Sequence, residues 1–208
     1  MPSLMHRRSH HSMKRFYDWV HRYYGSIEES IGPALDSIIE GMPSVFADAG
    51  SKTALDYACG SGLLTLKLAR RFSVVDGRDA STGMIGRAME RANALSVFNA
   101  SFRAGDIMEP DEAPGSYDIV FVSFALHLFH PDVEREILRK LFAIATEAVV
   151  VIDHGRRWSA KTALIEWIEG SYYDRFITLD FNAMANEIGA SRFVETEIAD
   201  SLVLEFCK

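Results

Sequence analysis

The segment Ala54-Leu55-Asp56-Tyr57-Ala58-Cys59-Gly60-Ser61-Gly62-Leu63 constrains this chain more than any other. Thr53 to Ala58 reads as a short buried strand, and Leu63 to Arg71 as a helix. The glycines between them permit a sharp turn and a close backbone approach to a ligand. Strand, tight turn and helix in that order open an α/β sheet. Such sheets bind ligands at the carboxyl ends of their strands.

The rest of the chain keeps this rhythm. Ser73 to Asp79, Ala100 to Ala104, Tyr117 to Phe124 and Ala148 to Asp153 read as strands. Thr82 to Leu95 and Pro131 to Ala145 read as helices between them. Strands rich in Val and Ile alternating with helices imply a parallel sheet covered on both faces. Ala160 to Ile168 and Phe181 to Ile188 are helical. Arg192 to Ile198 and Leu202 to Cys207 then form two strands with a turn at residues 199–201. So short a link makes that pair antiparallel. The expected fold is α/β, a doubly wound, mainly parallel seven-stranded Rossmann-like sheet. It ends in an antiparallel hairpin and starts with a helical cap. Two helical stretches precede the sheet, over residues 13–24 and 31–46, with Gly32 and Pro33 marking the start of the second.

Composition narrows the class. A chain of 208 residues suits one domain. The net charge of −7 argues against a nucleic-acid partner. The basic tip, with Arg7, Arg8, Lys14 and Arg15, is read as a flexible leader over residues 1–12 or as a contact for an anionic surface. Two distant cysteines, Cys59 and Cys207, give neither a disulfide framework nor metal-ligand spacing, so no metal is expected. A cytoplasmic setting fits their usage. No apolar run is long enough to span a membrane.

Carboxylates stand at successive strand ends. Asp79 follows the second strand, where a carboxylate can accept both hydroxyls of a ribose. Capping the next helix is its alternative role, and Asp76 competes if the strand ends early. Asp106, after Gly105, follows the third strand and could accept from an adenine amine. The turn lacks the Gly-Lys-Ser/Thr of a triphosphate loop. Thr65 stands where a dinucleotide turn wants Gly or Ala, and no Lys or Arg lies between Asp56 and Leu66 to meet a pyrophosphate. The ligand wanted has a ribose and an adenine but no phosphate.

The pattern Leu-Asp-x-Ala-Cys-Gly-Ser-Gly, then Asp-Ala-Ser-x-x-Met-Ile, Gly-Asp and Tyr-Asp-Ile-Val resembles the class I S-adenosylmethionine-dependent methyltransferases. It is most similar to the small-molecule branch with the ubiquinone and menaquinone C-methyltransferases, over residues 52–153. The resemblance implies a transferase using S-adenosyl-L-methionine and releasing S-adenosyl-L-homocysteine. It implies that Asp56 and the Gly60–Gly62 turn face the methionine portion of the cofactor. Asp79 would hold the ribose diol, with Ala80 and Met84 beside the adenosine. Asp106 and the Ile107 backbone would meet adenine. Ser123 and Phe124 would line the amine and sulfonium. Tyr17, near the start of the first helix, would contact the cofactor. Ala58 stands where many members have glycine. The implied division is a helical cap over residues 13–50, a cofactor-binding core over 51–155, and C-terminal helices with the edge hairpin over 156–208.

The acceptor side is read from residues beyond the strand tips. His127 is the candidate catalytic group, able to orient or deprotonate an acceptor. Tyr23, Asp153, His154, Trp158 and Tyr173 are candidates for the substrate pocket, with core packing as the alternative for the aromatics. Ser-Phe-Ala-Leu after the fourth strand is unlike the Asn/Asp-Pro-Pro-Tyr of enzymes that methylate nucleic-acid amines. The expected function is methyl transfer to oxygen, nitrogen or carbon of a small molecule, by a monomer or homodimer. The rivals are action on a lipid head group or quinone at a membrane surface, a non-catalytic scaffold, and an NAD-binding oxidoreductase.

Overall fold

A computed structural model describes residues 25–208. The expected leader and first helix, with Tyr17 and Tyr23, lie outside the described residues.

Helix α1 spans Gly25–Glu40 and passes through Pro33. This corrects the expectation that Gly32 and Pro33 begin a helix. An internal proline removes one backbone donor. Here its ring is exposed and its carbonyl accepts from Ser37 Oγ at 3.2 Å. Leu35, Ile38 and Ile39 on the other side are buried, and that packing carries the helix through the weak point.

The core elements follow in turn. They are β1 (Thr53–Tyr57), α2 (Leu63–Leu68), β2 (Val74–Asp79), α3 (Thr82–Ala94), β3 (Ala100–Ala104), β4 (Tyr117–Ser123), α4 (Pro131–Ile144) and β5 (Ala145–His154). After them come α5 (Ala160–Glu169), α6 (Tyr173–Phe176), α7 (Phe181–Ile188), β6 (Arg192–Ile198) and β7 (Ser201–Cys207). The seven strands lie in the order β3-β2-β1-β4-β5-β7-β6. The first five are parallel, and β7 runs antiparallel to both β5 and β6. Ala199 and Asp200 join β6 to β7 with φ of 51° and 59°, the two left-handed residues of a type I′ hairpin turn.

Alternate residues of the inner strands feed two cores. Val120, Val122, Val149 and Val151 pack toward α4, α6 and α7. Ile119, Phe121, Val150 and Ile152 pack toward α1 and α2. Full burial on both faces explains the continuous apolar runs of β4 and β5.

The described link from β3 to β4, residues 105–116, carries no helix. Charged groups close that side instead. Glu112 accepts from Arg78 Nε at 2.9 Å, Arg103 Nη2 at 2.9 Å and the Tyr57 hydroxyl at 3.0 Å. Asp76 accepts from Ser101 and Tyr117 on the same side, which removes it from any role at the strand tips.

The strand order reverses between β1 and β4. In an open sheet this is where the carboxyl ends leave a crevice. The tips of β1, β2, β4 and β5 bring Ala58, Asp79, Phe124 and His154 to one edge.

Candidate active site

The turn after β1 is shaped by backbone conformations that side chains disfavour. Ala58, Gly60 and Gly62 have φ of 57°, 53° and 79°. The two glycines answer different needs. A Cβ on Gly62 would lie 2.9 Å from the Phe102 ring and 3.0 Å from the Ala88 Cβ, so packing excludes it. A Cβ on Gly60 would meet nothing within 4 Å. Gly60 is there for its φ and for the open space in front of it. Ala58 holds a left-handed conformation without being glycine, as does Phe124 at the tip of β4, with φ of 48°. Both line the cavity described below. Strain of this kind persists where the surroundings enforce it.

Asp79 ties the first two strand tips together. Its Oδ2 accepts from Gly60 N–H at 2.9 Å and its Oδ1 from Ser81 N–H at 2.8 Å. The helix cap is Ser81, whose Oγ accepts from Met84 N–H at 3.2 Å. Asp79 is thus a clamp on the glycine turn rather than the cap of α3.

Asp56 sits beneath the turn, fully buried. Thr65 Oγ1 donates to its Oδ2 at 2.6 Å, while Oδ1 has no hydrogen-bond partner among the described residues. Burial pushes its pKa up to about 7; the Thr65 bond opposes the shift and the nearby Asp79 charge adds to it. Thr65 is a residue that sequence reasoning used only to argue against a dinucleotide. Its hydroxyl is the partner of Asp56, nine positions away.

A cavity opens over these groups. Ala58, Cys59, Gly60 and Ser61 form its floor with Asp79, Ala80, Ser81 and Met84. Gly105 and Ile107 close one side, and Ser123, Phe124, Ala125, Leu128 and Phe129 the other. Ile31 and Leu35 of α1 reach over it. No Lys or Arg is among the described lining residues.

The structure therefore places Ala58, Gly60, Asp79, Ala80, Met84, Ile107, Ser123 and Phe124 around one cavity. Three other anticipated residues do not line the cavity. Asp56 is under the floor, Gly62 caps α2 against Phe102, and Asp106 accepts from Met108 N–H at 2.9 Å in the turn after β3.

The acceptor-side candidates gather in a second cluster, behind Phe124. His127 is buried in the short turn Leu126–Leu128. Its Nδ1 lies 2.6 Å from Asp153 Oδ1, and its Nε2 lies 3.0 Å from Glu166 Oε2. Asp153 Oδ2 accepts from the backbone N–H groups of Leu126 and His127. His154 Nε2 stands 2.9 Å from Glu166 Oε1. Burial opposes charge on His127, yet Asp153 and Glu166 outweigh it and raise its pKa well above the usual imidazole range. For Asp153 and Glu166, burial is likewise outweighed by His127, and both carboxyls stay low. Glu134 is buried with no hydrogen bond to either oxygen among the described residues; burial and then Asp153 push it up to about 8.

This placement corrects the reading of His127 as a group facing the acceptor. Both ring nitrogens meet carboxylates, and neither His127 nor Asp153 or His154 lines the cavity. Tyr173 is buried too, its hydroxyl accepting from Ser159 N–H. Trp158 is exposed and donates to Asp174. Glu166, which completes the cluster, was missed. It is one acid among Leu164, Ile165, Trp167 and Ile168, and nothing in that run hints at a partner on β4 or β5.

Comparison with known proteins points the same way. The profile described as "Methyltransferase domain" matches residues 54–147, the stretch from β1 to β5 that builds the turn and cavity. That stretch is similar to the domain of S-adenosylmethionine-dependent methyltransferases, and the relatives and solved structures below support the same activity. The methyltransferase is 27% identical over 209 residues to a demethylmenaquinone methyltransferase of Beutenbergia cavernae, covering 96% of this chain and 80% of that one. It is 29% identical over 113 residues to a ubiquinone biosynthesis O-methyltransferase of Burkholderia ambifaria, 53% of this chain and 48% of the relative. Among solved structures, the magnesium protoporphyrin IX methyltransferase of Synechocystis with bound S-adenosylhomocysteine has the same fold. The TM-score is 0.66 at 19% identity, over 93% of this chain and 94% of that one. No helix among the methyltransferase's described residues is long and apolar enough to cross a membrane.

Proposed function

We propose that this methyltransferase binds S-adenosylmethionine in the cavity at the tips of β1, β2 and β4 and methylates a small, largely apolar acceptor. The observation that carries the reading is Asp79. It lines the cavity at the strand-order reversal and is held in place by the Gly60 and Ser81 amides. A carboxylate offers about four acceptor positions, so tying the turn is compatible with accepting from a ribose diol. Ala80 and Met84 flank the place for adenosine. Asp106 and the Ile107 backbone would meet adenine from the third strand tip. Gly60 opens onto the place for the methionine portion, and the unbonded oxygen of buried Asp56 lies below it. Ser123 and Phe124 would meet the amine and sulfonium. A lining without Lys or Arg suits a ligand without phosphates.

The bound cofactor supplies a methyl group already activated on a positive sulfur. What remains for the chain is to orient the acceptor and keep water out. Ile31, Leu35, Leu128 and Phe129 give the cavity an apolar wall suited to this. The names of the relatives, two acting on quinone precursors and one on a porphyrin, support an apolar ring-bearing acceptor. His127 belongs one layer back, as a positioning group under the Phe124 wall. The two free cysteines fit a cytoplasmic setting.

The test is a titration of the full chain with S-adenosylmethionine, S-adenosylhomocysteine and NAD, followed by transfer of a labelled methyl group to pooled small molecules. Binding of the first two but not NAD, with label in an apolar ring compound, is the expected result. Binding of NAD alone would overturn the cofactor assignment. Label recovered only in protein or nucleic acid would overturn the acceptor class.

A further inference from the structure

The second cluster holds more than ion pairs require. His127, His154 and Glu166 each offer a donor atom, and these atoms lie within 4.8 Å of one another. We propose that they form a site for one divalent transition-metal cation, with Asp153 fixing His127 from behind.

The chemistry of the donors leads there. Asp153 accepts three backbone N–H bonds and faces His127 Nδ1 at 2.6 Å, so it is the acceptor and Nδ1 carries the proton. With that proton kept on Nδ1, a metal cation could take the place of the second proton that the two carboxylates otherwise hold on the ring, and Nε2 would face it. Glu166 Oε2 lies 3.0 Å from that nitrogen but lacks the alignment of a hydrogen bond. A nitrogen and a carboxylate oxygen this close in a buried place need a proton or a metal cation between or beside them. His154 Nε2 approaches the other oxygen of the same carboxylate at 2.9 Å. The two imidazole nitrogens thus meet the two oxygens of one carboxylate at 3.0 and 2.9 Å, close enough for small side-chain shifts to bring one donor of each residue onto a single cation.

Charge gives the same answer. Asp153 and Glu166 bring two negative charges into a buried region. A dication held by neutral histidines would balance both. Two imidazoles and one carboxylate select zinc, iron, cobalt or manganese over magnesium or calcium, which prefer all-oxygen shells. The Asp153–His127 bond is the outer contact that sets the tautomer and ring direction of a metal-binding histidine. The side chain of His154 is 24% exposed and provides the entry path. The ring centroid of His154 is also 5.7 Å from that of Phe124, so the site sits one residue behind the cavity wall.

The probe is Co²⁺ added to the metal-stripped full chain, read by its visible ligand-field bands and by calorimetry. One equivalent with nitrogen–oxygen-type bands is expected. His154→Asn and Glu166→Gln should each lose one equivalent or weaken it by at least about 10-fold, while still binding S-adenosylhomocysteine as a sign of an intact fold. Asp153→Asn should weaken it by roughly 10- to 100-fold. Histidines in the N-terminal segment could hold a further ion, and that equivalent would survive all three changes. No Co²⁺ bound, or the same stoichiometry and affinity in His154→Asn and Glu166→Gln, would overturn the site.

Discussion

The tips of β1 and β2 and the tips of β4 and β5 share one edge of the sheet, yet they are finished in different ways. At β1 and β2 the backbone does most of the shaping. Left-handed residues turn the chain, a carboxylate pins the turn, and the surface faces an open cavity. At β4 and β5 side chains meet side chains. His127, Asp153, Glu166 and His154 turn toward one another and away from the cavity. The first arrangement can admit and release a ligand without losing its own bonds. The second keeps its polar groups only by holding them together. On the proposed function, the difference separates a place for binding from a place that stiffens the wall of that site, so changes in the two places should fail in different ways.

The largest effect should come from breaking the second place. Asp153→Ala removes the partner of His127 and the acceptor of three backbone N–H groups at once. Breaking a buried pair this way costs about 3–5 kcal/mol. The melting temperature should fall by roughly 10 °C, given about 2–4 °C per kcal/mol for a chain of this size. Differential scanning calorimetry reads it, and affinity for S-adenosylhomocysteine in the folded fraction should change less than in the next variant.

Asp79→Ala should show the converse. Losing charge-assisted bonds to a ribose should weaken cofactor binding by about 10-fold or more, about 1.4 kcal/mol. Isothermal titration tests this. A fall in melting temperature as large as that of Asp153→Ala, with unchanged affinity, would erase the distinction between the two places.

Asp56 sharpens the comparison through pH. Its carboxyl rises in the fold from 3.8 to about 7. A raised acid gives stability that is complete below the unfolded pKa and is lost as pH climbs through the folded one. The cofactor-free protein should therefore lose stability between pH 4 and 7 through this group. Asp56→Asn keeps an acceptor for Thr65 and stays neutral. It should melt above the wild type at pH 8, by roughly 3 °C or more, and near it at pH 4. Melting curves across that range suffice. A parallel offset at every pH would mean that Asp56 is ionised even where it is most buried.

Ala58→Gly is the mildest change. It relieves a left-handed residue, worth about 1 kcal/mol, but adds freedom to the unfolded chain, worth nearly as much. A net gain within about 0.5 kcal/mol is expected in urea melts. A loss of more than about 1 kcal/mol would show that the Ala58 methyl group packs in the cavity floor.

The parallel strands were legible because apolar Val and Ile runs stop at Gly or Asp, and their bounds fall near those expected. The β1 and β2 tips were legible for the same local reason: Gly60, Gly62 and Asp79 act on chain neighbours or on the adjacent strand tip. Gly32 and Pro33 misled because local propensity yielded to the buried face of Leu35, Ile38 and Ile39. Helix α6 and the turn at Leu126–Leu128 are too short to carry a period. The β4–β5 cluster was half visible. His127, Asp153 and His154 stood out at strand ends, but their partners come from 26 and 12 residues away, and from Glu166 on a helix that reads as apolar. Pairings across the fold leave no trace in local spacing.

The central claim is that the open tips, not the closed cluster, receive the methyl donor. Hydrogen exchange of the full chain with and without S-adenosylhomocysteine addresses it directly. Protection should concentrate at residues 58–64, 79–84, 105–107 and 123–125, with little change along α5. Protection confined to α5 and the end of β5, or none anywhere at saturating ligand, would contradict it.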